Sequence, residues 1–268
     1  MQENINVYNE EEFKLHFSQT DLYKTINKDY DDVSWVEPRG LRPYSLLWNQ
    51  RKDALIARDQ GLRRPWVPNT PRFVRAQMNW FSVTSFYYLN FLLEKNPTTI
   101  YDLGCGDNMF KKYIPNIIGI EPSQTCENVD IIDKVDQTFI DSHQNYFESV
   151  FSICALHFHP FTELRKVVDD FISMVKIGGR GFIALNVLRM FELEAKEKNI
   201  SVADHPFLKD KAVGIIIPNQ KVIEEAENLT KKLLSGLNCD ILVFDVDYSK
   251  GFNSSLGGNI IIVFERNE

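Results

Sequence analysis

The sequence predicts an α/β fold: a doubly wound, mostly parallel seven-stranded sheet with an antiparallel C-terminal edge pair, preceded by an N-terminal helical and irregular cap. Three observations predict it. From about residue 98 onward, short β-branched or apolar runs alternate with amphipathic stretches. Such alternation builds βαβ units, whose strands run parallel with helices on both faces. The last two apolar runs, 241–246 (ILVFDV) and 259–264 (NIIIVF), have no helical stretch between them, so one edge strand runs antiparallel. Finally, the first strand enters Gly104-Cys105-Gly106, a tight turn at a strand end, the place where open parallel sheets bind ligands.

Taken in order, residues 98–103 (TTIYDL) form the first strand, and 108–113 a short helix closed by Pro115. Residues 116–120 (NIIGI) are the second strand, followed at once by Glu121-Pro122. The apolar run 129–132 is a weaker third strand, and 148–156 (ESVFSICAL) a clear fourth. Leu164, Val167, Val168, Phe171, Ile172 and Val175 then recur at helical spacing, placing one apolar stripe against the sheet. Gly178-Gly179 offers the left-handed residues that end such a helix. Residues 181–187 (GFIALNV) are the fifth strand, and helical stretches follow at 188–198 and 220–234, the second ending near Gly236.

The 268 residues divide into 1–96, an acidic tail and an aromatic, arginine-rich cap with a lead-in helix, and 97–268, the ligand-binding domain. The tail carries Glu10, Glu11, Glu12, Asp29, Asp31 and Asp32. Residues 34–71 hold Pro38, Pro43, Pro65, Pro68 and Pro71 with Trp35, Trp48 and Trp66, which reads as an irregular cap with one helix around 46–60. Residues 72–93 are apolar enough for a buried helix leading into the first strand. The cap arginines either receive an anionic acceptor or pair with the acidic tail, and the second reading is favoured.

A net charge of −7 counts against a surface that grips nucleic acid. No apolar run reaches the length of a membrane span, and the first nine residues lack the basic and apolar segments of an export signal. A cytoplasmic location without a membrane partner is the expectation. The four cysteines, Cys105, Cys126, Cys154 and Cys239, have neither paired spacing nor accompanying histidines, so no metal site or disulfide framework is expected.

The chemistry gathers at the predicted strand ends. Gly104 and Gly106 permit a sharp turn and close approach of a ligand to the backbone. Glu121, one βαβ half-turn further on, is a carboxylate placed to accept both hydroxyl protons of a ribose. A dinucleotide fingerprint requires a third glycine where Met109 stands, and so fails. On these residues the segment resembles the class I, Rossmann-like methyltransferases that use S-adenosylmethionine (SAM), with motifs of the small-molecule type. Asp102-Leu103-Gly104-Cys105-Gly106 looks like the first motif, D/E-x-G-x-G, and Ile118-Gly119-Ile120-Glu121 resembles the ribose-binding second strand. Residues 152–158 (SICALHF) look like the end of the fourth strand, and 175–179 (VKIGG) the turn before the fifth. The motifs stand in order over residues 98–187, and the closing strand pair extends the likeness to the C-terminus.

The resemblance implies a SAM-dependent transferase, with SAM as cofactor and S-adenosylhomocysteine as product. It assigns Asp102, Gly104, Cys105 and Gly106 to the methionine part, with Asp102 reaching the ammonium directly or through water. It assigns Glu121 to the ribose, and Asp133 or Asp136 to the adenine amino group, with Asp136 preferred. Cys154, Ala155 and Leu156 line the site near the sulfonium or pack as core; Arg75 meets the SAM carboxylate or faces solvent. Because the sulfonium already activates the methyl, the protein mainly positions the acceptor and excludes water. A base is needed only where the acceptor must lose a proton; His157 and His159 are the candidates, against a plain loop-packing role. No N/D-P-P-Y/F sequence follows the fourth strand, Cys154 has no preceding proline, and no Asp-Asp-Asn pattern suggests magnesium. A small-molecule acceptor is therefore expected. The alternatives are a nucleic-acid methyltransferase and a non-catalytic SAM-fold binding or assembly protein.

Overall fold

The computed structural model describes Asp21 and residues 88–106, 108–123, 126, 128–153, 155–156, 158–208, 220–247 and 259–267. The expected tail and cap, the helix around 46–60, Arg75, Cys154 and His157 lie outside the described residues.

These residues form one sheet from β1 (Ile100–Leu103), β2 (Ile117–Ile120), β3 (Phe147–Ile153), β4 (Val175–Asn186), β5 (Asp240–Asp247) and β6 (Asn259–Glu265). The order is β2-β1-β3-β4-β6-β5. The first four strands pair in parallel, and β6 runs antiparallel between β4 and β5. The predicted doubly wound sheet with an antiparallel closing pair is thus present. The antiparallel member lies one place in from the edge, because β6 pairs with both β4 and β5.

Among the described residues the expected third strand, 129–132, is not a strand. Residues 129–132 contribute a single parallel bridge, Ile120 to Ile131. Asp130, in the middle of this run, explains why. Its carboxylate accepts the Gly119 N–H at 2.9 Å and the Asn108 amide at 3.1 Å, and pairs with the Lys111 ammonium. A side chain therefore takes a donor that a ladder would use, and Ile131 and Ile132 stay exposed.

The helices are α1 (Gln137–Ser142), α2 (Leu164–Met174), α3 (Val187–Glu197) and α4 (Gln220–Leu233), with residues 88–93 also helical. The short helix expected at 108–113 is a single 3₁₀ turn, Met109–Lys112. Alternation along the strands sends side chains into two cores. Leu103, Val150, Ile183 and Phe264 pack with Val168, Phe171 and Ile172 of α2. On the opposite face Phe151 meets Phe110 at 5.7 Å and Phe182 at 5.1 Å, and Phe182 meets Tyr88 of the lead-in helix at 5.6 Å. Arg180 fastens that helix to the sheet. Its guanidinium donates to the Phe91 carbonyl, Glu94 and Glu265 at 2.8–3.0 Å, and lies 4.1 Å from the Phe91 ring centre.

Gly178-Gly179 does not end α2. The helix stops at Met174, and the chain passes straight into β4. Arg266 accounts for this stop: its Nη1 donates to the carbonyls of Ile172, Ser173 and Val175, satisfying the helix end from across the sheet. The glycines fall instead within the register shift between Phe147 and Ser149 of the β3–β4 ladder. Among the described residues no helix is long and apolar enough to cross a membrane.

Candidate functional site

The strand order reverses between β1 and β3, so a crevice opens at their carboxyl ends. The loop 104–106 leaves β1 there. Gly104 and Cys105 both donate their N–H to the Ile120 carbonyl, at 2.7 and 3.2 Å. Gly104 has φ +75° and Gly106 +55°, conformations that side chains resist. The two glycines have different reasons to lack a Cβ. One on Gly104 would lie 2.2 Å from the Ala155 Cβ, so the β1 and β3 exits touch there; one on Gly106 would meet nothing within 4 Å. The side of Gly106 where a Cβ would stand is open space.

Two carboxylates border this loop. Glu121, just past β2, accepts the Gly106 N–H on Oε2 and the Ser123 N–H on Oε1, each at 3.1 Å. Each oxygen retains a lone pair for a further donor. Asp102, the third residue of β1, is 3% exposed. Burial first, and then the charge of Glu121, push its carboxyl well above the usual carboxylate range. Burial, joined by the neighbouring acids, also raises the Cys105 thiol.

The loop is braced from below by residues that the sequence reading did not select. Asn108, buried at φ 49°, donates from its amide to the Asn128 carbonyl at 3.0 Å and to Asp130. Partial burial pulls the Asp130 carboxyl up, but hydrogen bonds from Lys111, Gly119 and Asn108 outweigh it and hold it below the usual range. Two signals were present: an asparagine two residues after a glycine turn, where left-handed backbone is tolerated, and a lone acid inside an apolar run.

Of the predicted residues, Asp102, Gly104, Cys105, Gly106, Glu121 and Ala155 come together at the loop. Leu156 packs against the hydrophobic core. Asp136 caps α1, its Oδ1 accepting from Thr138 and Phe139 at 3.1 and 3.3 Å. Asp133 accepts from the neighbouring Lys134 N–H. His159 is exposed on the loop after β3, its Nδ1 3.1 Å from Glu163 Oε2.

A buried acid that accepts no hydrogen bond among the described residues, a glycine turn and a second acid with spare acceptors suit a zwitterionic nucleoside such as SAM. Asp102 would hold the ammonium, the loop backbone the amino-acid tail, and Glu121 the ribose.

No family model and no curated protein matches the sequence. Similar solved structures include the CurJ carbon methyltransferase, 14% identical over 83% of this chain and 66% of that one, with TM-score 0.44. Others are an S-adenosylmethionine dependent methyltransferase from Mesorhizobium loti (14% identity, 66% of this chain, 96% of that one, TM-score 0.36) and a SAM dependent methyltransferase from Archaeoglobus fulgidus (16%, 73%, 94%, TM-score 0.37). The chain thus spans about two thirds of the CurJ enzyme's length.

Proposed function

We propose that this chain is a SAM-dependent methyltransferase acting on a small-molecule acceptor. The observation that carries the reading is the pairing of Asp102 and Glu121 around the Gly104–Gly106 turn. A strand–helix turn kept only for architecture has no use for two adjacent acids, one of them buried, since that arrangement lowers stability.

SAM, when bound, supplies a methyl group already activated by the sulfonium. The chain's own residues do the rest. The loop backbone receives the amino-acid tail, Asp102 neutralises the ammonium, and the spare lone pairs of Glu121 accept the ribose hydroxyls. Ala155, pressed on Gly104, fixes the spacing between the β1 and β3 exits and thereby the angle at which an acceptor approaches. His159, with Glu163 at Nδ1, presents Nε2 for a proton where the acceptor must lose one. Arg75 and His157 keep the roles that the resemblance implies.

Methyl-tritiated SAM tests the activity. Incubation with a protein-free small-molecule extract and, separately, with total RNA should move label into the small-molecule fraction. Label entering RNA alone, or SAM binding without transfer to either, contradicts the proposal.

A further inference from the structure

Hydrogen-bond donors around the loop are divided unequally between its two acids. Glu121 takes the Gly106 and Ser123 N–H groups. Asp102, 3% exposed, accepts no hydrogen bond among the described residues, and the charge bearing on it there is that of Glu121. Neighbouring elements bring no relief. On β2, Gly119 stands opposite Asp102 in the ladder but gives its N–H to Asp130. Lys111, on the 3₁₀ turn, is committed to Asp130 as well. On β3, the Ser152 hydroxyl donates to the Leu103 carbonyl at 2.8 Å. In the loop itself, the Cys105 thiol is turned to the Gly106 carbonyl. An ionised carboxylate with neither donor nor counter-charge is less stable in such a place than the neutral acid.

We propose that Asp102 carries a proton in the free protein and loses it to solvent when the ammonium group of SAM arrives, so that cofactor binding is coupled to proton release. The inference rests on the SAM reading above. The Asp102 O–H bond breaks, its proton passes to water or buffer, and the resulting carboxylate stands beside the incoming cation. Nothing is oxidised or reduced. The site then discriminates ligands by charge: one that brings an ammonium creates the anion it needs, and a nucleoside without one meets a neutral acid.

Calorimetric titration of the full chain with two probes tests this. S-adenosylhomocysteine carries the ammonium; methylthioadenosine keeps the adenosine and the thioether but has none. Titrations run from about pH 5.5 to about pH 7, in two buffers of different ionisation enthalpy, where the ammonium stays charged. S-adenosylhomocysteine should weaken up to about tenfold for each unit fall in pH and release up to about one proton, while methylthioadenosine stays flat. Asp102→Asn should bind S-adenosylhomocysteine more weakly, without pH dependence, and keep its affinity for methylthioadenosine, which shows that the variant is folded. A flat profile with no proton release for S-adenosylhomocysteine overturns the inference alone. Parallel weakening of both probes also overturns it, because the titrating group is then not one that answers to the ammonium. Binding of neither probe at any pH overturns the SAM reading itself.

Discussion

At the scale of single residues the loop separates steric from chemical demands. Gly104→Ala forces a Cβ onto Ala155 and a left-handed backbone onto alanine, a combined cost of about 1–3 kcal/mol. Gly106→Ala shares the backbone penalty but meets open space. Thermal unfolding should therefore rank Gly104→Ala as the less stable variant. A calorimetric titration should show that Gly106→Ala loses affinity for S-adenosylhomocysteine, because its methyl fills that space. Asp102 makes the opposite trade. Its carboxyl is raised above its unfolded value, so its favourable contribution is present in acid and is lost as pH rises through the folded value. Asp102→Asn should raise the melting temperature of the free protein at pH 7.5 by about 2–4 °C per kcal/mol recovered, and change it little near pH 4. A lower melting temperature at pH 7.5 would contradict the picture of an acid strained by burial beside Glu121. The glycines and both acids were legible in the sequence because φ > 0 and ligand contact each demand particular residue types. The Asn108–Lys111–Asp130 brace was not, because its members meet only after β2 is placed beside the loop.

At the scale of elements, local signals were readable wherever a segment closes on itself. The apolar stripe over 164–175 is α2, and the two final apolar runs are β5 and β6. Where a distant side chain decides, the sequence misleads. Arg266 ends α2 from the far end of the chain, so Gly178-Gly179 passes for a cap; Asp130 stops 129–132 from extending as a strand. Asp136 belongs to the same lesson. Its Oδ1 caps α1, so Asp136→Ala should cost about 1 kcal/mol in chemical denaturation, and Asp136→Asn most of that less. If Asp136→Ala also weakened S-adenosylhomocysteine, the adenine role would stand beside the cap. Arg180→Ala should cost about 2 kcal/mol, since it strips charged hydrogen bonds from both the lead-in helix and β6. Arg180→Lys, which has no planar fork to serve three partners, should not restore the loss.

At the scale of the whole molecule, opposing titrations shape the pH dependence. Buried His205 packs between Phe191 and Phe207 and accepts the Phe207 N–H at 3.3 Å. Burial lowers its basicity, with Glu194 opposing and Lys198 assisting. A lowered base contributes stability above its unfolded value, near 6.5, and loses it as pH falls. Asp130 and Glu265, both held low by their cationic partners, lose theirs further into acid. Between about pH 6.5 and about pH 4 the loss at His205 opposes the gain as Asp102 takes up its proton, so His205→Gln should make the melting temperature rise further over that range; below about pH 4 it should fall as Asp130 and Glu265 are protonated. The strand order, with its crevice between β1 and β3, gathers residues from three separate stretches of chain into one site, and the account stands on what that site binds. Calorimetric titration of S-adenosylhomocysteine into the wild-type chain and Glu121→Ala tests it most directly. The prediction is one site on the wild type and a loss of about 1–3 kcal/mol in the variant, from ribose hydrogen bonds to a charged acceptor. No binding to the wild type at high micromolar concentration, or equal affinity in the two proteins, would contradict it.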